Sequence, residues 1–183
     1  MTKADGDFQI LFMNKLDKVI VALDHMPLPD VERFLSQNDE HIGMIKIGLE
    51  LFCKHGPEVV LYLSRNYETK IFLDLKLHDI PQTVYQSIQS LAGLPITFLT
   101  IHLTGGRQML LAAKEAQEKF LPDTKLLGVS FLTSLDAVNL KETFNFNQDQ
   151  IEDQFKMLFN LAQQTHIQGI VCSPYEANLA KKT

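Results

Sequence analysis

The chain has 183 residues, of which 45% are hydrophobic and 21% charged, and a net charge of −5. That length allows one domain with a real core, and the composition excludes a disordered chain. The acidic balance speaks against a nucleic-acid surface, and no stretch reaches the roughly 18 apolar residues of a membrane span.

The opening residues hold no uninterrupted apolar run of the signal-peptide kind, so a cytoplasmic protein is expected. Cys53 and Cys172 lie far apart in apolar contexts and read as reduced core thiols. Asp7 to Leu16 reads as a short amphipathic helix, and VIVALD (Val19 to Asp24) as a buried strand ending in a charge. A helix is predicted over Leu28 to Ser36, with Pro29 near its start. Next come the strand MIKIG (Met44 to Gly48) and a helical stretch from Leu49 to Asn66, interrupted at Gly56-Pro57. The central stretch is IFLDLKLHDIP, Ile71 to Pro81, a strand running into a helix over Gln82 to Ala92. FLTIHL (Phe98 to Leu103) reads as a strand, and Gly105-Gly106 opens a helix to Phe120. LLGVSFLT (Leu126 to Thr133) reads as a fifth strand. Asp136 to Asn147 reads as an irregular polar loop with a short turn of helix. A helix over Ile151 to Gln164, the strand GIVCS (Gly169 to Ser173) and a helix from Pro174 to Lys182 complete the chain.

Strands alternating with helices of this length imply βα units and a parallel sheet, with no linker to divide residues 1–183 into separate domains. An open doubly wound sheet and a (β/α)8 barrel both satisfy that pattern. Asp24, Lys46, Asp74 with Lys76, His102 and Thr133 stand at or near the C-terminal ends of successive strands. A barrel gathers functional groups from many strands on one rim, whereas an open sheet draws on the strands beside its switch point. The expected fold is therefore α/β, a (β/α)8 TIM barrel of which about six of eight units are present.

In the central strand, alternation places Ile71, Leu73, Leu75 and Leu77 on one face and Phe72, Asp74 and Lys76 on the other. Asp24, Lys46, Asp74 and Lys76 then form an array of alternating charge that needs neither metal nor cofactor. Buried charges are costly unless paired, so the array is either a structural network or an active site. His102 reads as a site residue or as hydrogen-bonded scaffold. Gly105-Gly106 reads as a tight turn or as backbone donors facing an anion. Thr133 and Ser134 read as contacts to a polar ring edge or as loop caps. Strand parity leaves His78 outside the site.

LDLKLHDIP at Leu73 to Pro81 resembles the D-x-K-x-x-D signature of the orotidine 5′-phosphate decarboxylase family. ALD at Ala22 to Asp24, IKIGLELF at Ile45 to Phe52, IHLTGG at Ile101 to Gly106, FLTS at Phe131 to Ser134 and GIVCSPYEA at Gly169 to Ala177 follow in that family's order. The resemblance implies cofactor-free decarboxylation of orotidine 5′-phosphate to uridine 5′-phosphate in pyrimidine biosynthesis. It implies that Lys76 delivers the proton and that Asp74 sits against the departing carboxylate. By the same match Asp24 and Lys46 hold the ribose and complete the charge network, and Thr133 lies near the pyrimidine. Asp79, with Ile80 and Thr83, reaches the other subunit's site, which implies a homodimer with shared active sites.

The family's P-G-[IV]-R and G-R segments, which grip the phosphate, do not occur before Thr183. The expectation is a chain that lacks the last two strands, with no residue assigned to the phosphate and the activity of the 183 residues themselves left open. Two other readings are a magnesium-dependent sugar-phosphate lyase of the same wider group and a catalytically impaired binding or assembly module. The lyases usually carry an acidic residue where Lys46 stands, and the intact Asp24, Lys46, Asp74, Lys76 and Asp79 set argues against decay.

Overall fold

The computed structural model describes residues 18–38 and 41–182. The helix expected over Asp7 to Leu16 lies outside them. Two compact units share the chain. The first runs to Leu75 and adds Gly93–Phe98; the second takes Lys76–Ala92 and everything from Leu99. Two of the three divisions, after Leu75 and after Phe98, fall inside strands; the third, after Ala92, falls between a helix and a strand.

The first unit holds β1 (Ile20–Ala22), α1 (Leu28–Asn38), β2 (Met44–Gly48), α2 (Leu49–His55), α3 (Glu58–Asn66), most of β3 (Lys70–Leu77) and the start of β4 (Ile96–His102). Its strands lie side by side in chain order. β1 pairs parallel with β2, with Ala22 opposite Lys46, and β2 pairs parallel with β3, with Gly48 opposite Asp74. Ile45, Ile47, Ile71 and Leu73 are fully buried, and Phe72 is nearly so. Strands buried on both sides are the mark of a parallel sheet covered by helices. Val31 and Leu35 of α1, Leu51 of α2, and Val59, Val60 and Leu63 of α3 give those helices their apolar faces. The break at Gly56-Pro57 separates α2 from α3 as its residue types predict.

The second unit holds the end of β3, α4 (Pro81–Ser90), the rest of β4, α5 (Gly106–Phe120), β5 (Lys125–Val129), α6 (Ala137–Phe144), α7 (Ile151–Gln164), β6 (Gly169–Val171) and α8 (Ala177–Lys182). Its strands also follow chain order, and β5 pairs parallel with β6. Pro81 occupies the first turn of α4, where its missing N–H costs nothing. α4 packs along α5, with Tyr85 edge-on to Phe120 at 5.8 Å between centroids.

Four expectations need correction. β1 covers Ile20–Ala22 and is largely exposed, with Ile20 at 41%, rather than buried. β5 ends at Val129 rather than at Thr133. Phe131 instead turns into an aromatic cluster with Phe144, Phe146 and Phe155, at centroid distances of 5.3, 5.9 and 5.2 Å. The segment read as irregular loop with a short turn of helix carries the 8-residue helix α6. Asp136 accepts a hydrogen bond from the Asn139 N–H at 2.8 Å and the Asn139 side chain answers the Asp136 N–H, a capping box with asparagine in the usual Glu/Gln place. Cys53 is exposed rather than in the core, on the outer side of α2; Cys172 is half-buried, and neither forms a disulfide. Among the described residues, no helix is long and apolar enough to cross a membrane.

Candidate active site

In the first unit the charges of three neighbouring strands meet at one ammonium. The Leu23 N–H donates to the Lys46 carbonyl at 3.1 Å, extending the β1–β2 ladder one residue past β1. Asp24 follows directly. Lys46 is the middle residue of β2, and its stem carries Nζ toward the strand's end. Nζ stands 2.5 Å from Asp24 Oδ2 and 3.3 Å from Asp74 Oδ2. The Asp74 side chain is only 9% exposed and that of Lys46 19%. A carboxylate withdrawn this far from water needs a cation or donors beside it, and Lys46 supplies the cation. Three of the expected residues, Asp24, Lys46 and Asp74, are thus in direct contact.

In the second unit Lys76 has φ 48, a left-handed conformation that costs an L-residue roughly 1–2 kcal/mol. Its backbone N–H donates to Oγ1 of Thr100, a fully buried residue of β4, at 2.8 Å. This turn of the backbone ends the simple alternation expected through Leu77: side-chain parity holds to Leu75 and not beyond. Non-glycine residues held in this region cluster at functional sites, because only a surrounding structure that over-determines them keeps them there.

Past this break lies His78, which strand parity leaves outside the site. Its ring lies 5.1 Å from that of His102, centroid to centroid, with the planes tilted by 38°. Thr100, missed as well, sits two residues before His102 on the same strand, a polar position that alternation alone could have flagged. Asp79, Ile80 and Thr83 are all exposed at the start of α4. The Asp79 carboxylate accepts from the Ile80 N–H at 2.7 Å, and the Ile80 side chain stands out with 66% exposure. Thr133 lies in an exposed turn four positions past the end of β5. Gly105-Gly106 forms the tight entry to α5, with Gly106 at φ 80. Among the described residues, no group of three His, Cys, Asp or Glu side chains could hold a metal ion.

Residues 17–183 match the protein family described as orotidine 5′-phosphate decarboxylase / HUMPS. The chain belongs to this family. The orotidine 5′-phosphate decarboxylase of Staphylococcus haemolyticus is 40% identical over 164 residues, which cover 89% of this chain and 70% of that protein. The crystal structure of orotidine 5′-phosphate decarboxylase from Lactobacillus acidophilus superposes with a TM-score of 0.79 at 35% identity, over 90% of this chain and 75% of that one. An uncharacterized conserved protein from Geobacillus kaustophilus superposes with a TM-score of 0.82, also at 35% identity, over 89% and 77% of the two chains. With these likenesses the fold is α/β of the TIM-barrel type, carried here by six strands among the described residues. Members of the decarboxylase family are carboxy-lyases, and this chain is an enzyme of that kind.

Proposed function

We propose that the protein decarboxylates orotidine 5′-phosphate to uridine 5′-phosphate, the closing step of pyrimidine nucleotide synthesis. The observation that carries this reading is the Lys46 ammonium held between Asp24 and Asp74. A lysine between two carboxylates leaves each of them oriented and the site charged without a bound metal. The magnesium-dependent relatives usually carry an acidic residue at the Lys46 position instead.

The chemistry follows from the charges. The bond between the pyrimidine ring carbon and its carboxylate breaks, CO2 leaves, and the electron pair stays on the ring carbon. By the family resemblance Lys76, two residues beyond Asp74 in sequence, is the proton donor. Its ammonium stabilises the developing carbanion and gives it a proton, forming uridine 5′-phosphate and a neutral lysine that solvent recharges. Asp74 stands against the departing carboxylate. Two unit charges at ~4 Å and an effective dielectric of ~20 repel by about 4 kcal/mol. Enzymes lower barriers by roughly 8–23 kcal/mol, so carbanion stabilisation and remote binding energy supply the larger share. Asp24 and Lys46 hold the ribose, and His102 and Thr133 line the nucleotide. Asp79, Ile80 and Thr83, exposed together at the start of α4, serve the site of a second copy, which makes the working form a homodimer in the cytoplasm.

The test is to follow orotidine 5′-phosphate by its ultraviolet absorbance with purified protein, with and without EDTA. Conversion to uridine 5′-phosphate that EDTA leaves untouched is the expected result. No turnover would overturn the reading, and turnover lost to EDTA and restored by magnesium would favour the lyase relatives.

A further inference from the structure

We infer that Gly48 is a positioning residue: its missing side chain is the space in which the Asp24 carboxylate is held against Lys46. The inference rests on the reading above for its consequence in catalysis, but its geometry stands apart from that reading. Gly48 lies opposite Asp74 in the β2–β3 register, and Ala22 lies opposite Lys46 in the β1–β2 register. Gly48 and Asp74 are thus neighbours across β2 and β3, Asp24 stands in the turn two residues past β1, and Lys46 shares the Gly48 side of β2. The Asp24 carboxylate occupies the space over Gly48, and the Lys46 ammonium lies beside it.

A β-carbon at residue 48 would collide with Asp24 Oδ1, while it would stand 3.5 Å from Lys46 Nζ, an ordinary contact. The obstruction thus falls on Asp24 and spares the Lys46–Asp74 contact. The backbone makes no demand for glycine here. Gly48 has φ −88 and ψ 179, an extended conformation open to any residue. Replacement by alanine at such a position ordinarily stabilises slightly, by restricting the unfolded chain. What selects glycine is the carboxylate in front of it. The atom in the way is the end of a side chain that can rotate, so Gly48→Ala should turn the Asp24 carboxylate away from Lys46 and leave the rest of the charge set in place.

The experiment is a cycle of Gly48→Ala, Asp24→Ala and the double variant in the purified protein. It measures both the thermal unfolding midpoint and the decarboxylation of orotidine 5′-phosphate. Gly48→Ala alone is expected to lower kcat/KM by at least about tenfold, a change of ~1.4 kcal/mol, and to lower the midpoint by a few degrees. In the Asp24→Ala background the carboxylate is gone, so Gly48→Ala should cost less than about twofold further and should no longer lower the midpoint. If Gly48→Ala does not fold, the double variant should fold, because the collision has been removed. Equal penalties in both backgrounds, an unfolded double variant, or a Gly48→Ala enzyme within about twofold of wild type would overturn the inference. Should wild-type protein show no turnover, the proposed function fails, and the midpoint cycle still decides the role of Gly48.

Discussion

Lys46 Nζ lies 3.3 Å from Oδ2 of Asp74, a side chain only 9% exposed, and the same ammonium meets Asp24 at 2.5 Å. One cation therefore serves two carboxylates, and the more buried of them depends on it more. Lys46→Ala should destabilise the fold by about 1–3 kcal/mol, the usual cost of taking a partner from a buried polar group. Asp74→Asn, which removes the charge and keeps the shape, should cost less than about 1 kcal/mol or stabilise, while abolishing most turnover. In the Asp74→Asn background Lys46→Ala should lose much of its penalty. Urea unfolding of the four proteins checks this. A Lys46→Ala variant as stable as wild type would show that Asp74 draws its stabilisation elsewhere.

Lys76 combines a proposed chemical role with an unfavourable backbone, and the two can be separated. Lys76→Ala and Lys76→Gly should each retain less than about a hundredth of wild-type kcat, in line with the 10²–10⁴-fold contribution of one general acid. Both should still bind uridine 5′-phosphate measurably. At φ 48, however, glycine is at ease and alanine is not. The glycine variant should be more stable than the alanine variant by about 1 kcal/mol. Calorimetric binding, steady-state kinetics and denaturant midpoints on the pair test the three statements. Equal stabilities would mean that the strain at residue 76 is relieved by its surroundings, and substantial turnover in either variant would remove Lys76 as the proton donor.

The difference between these residues also marks how far the sequence is legible. β2 and α7 have the bounds that hydrophobic periodicity predicts, because burial of alternate or every third-to-fourth residue leaves a direct trace in residue order. The charges at successive strand ends are visible for the same reason. The left-handed turn at Lys76 leaves no such trace. It is accompanied by a hydrogen bond to Thr100, 24 residues away, which residue order does not show. The helix α6 was hidden by its composition: polar residues outweigh apolar ones over Asp136 to Asn147, and one capping pair with one buried leucine, Leu140, decides the conformation. Cys53 was misread because its apolar neighbours in sequence lie on other sides of a helix.

The two thiols should separate under alkylation. Cys53 is exposed, whereas burial pushes the Cys172 thiol upward in pKa, with the Glu176 carboxylate adding to the effect. A raised pKa means less thiolate at neutral pH, and thiolate is the reacting species. Cys53 should be labelled first at pH 7, and the labelling rate of Cys172 should keep climbing as pH passes the ordinary thiol range near ~8.5. Peptide mapping after timed iodoacetamide treatment reads both rates. Equal labelling at neutral pH would contradict the difference in environment.

The shared-site reading makes the most specific prediction. Asp79 and Ile80 are exposed, and Asp79 spends one carboxylate oxygen on the neighbouring Ile80 N–H. That bond fixes the direction of the exposed carboxylate. If Asp79 completes the site of a second copy, a Lys76→Ala chain and an Asp79→Ala chain are each inactive as homodimers for different reasons. The first lacks the proton donor in both sites, and the second lacks the partner's carboxylate in both. In a mixed dimer, the site built on the Asp79→Ala chain keeps its own Lys76 and receives Asp79 from the other chain. That site is whole, and its mate lacks both groups. Random exchange of equal amounts yields mixed dimers as half of the population, each with one whole site, so activity should return to about a quarter of wild type. Asp79→Asn, which keeps the bond to Ile80 and removes the charge, should complement in the same way and guards against a misdirected α4. Subunit exchange is confirmed by differently tagged chains and native mass spectrometry. Mixed dimers without recovered turnover would mean that Asp79 acts within its own chain, and the two-copy site would have to be abandoned.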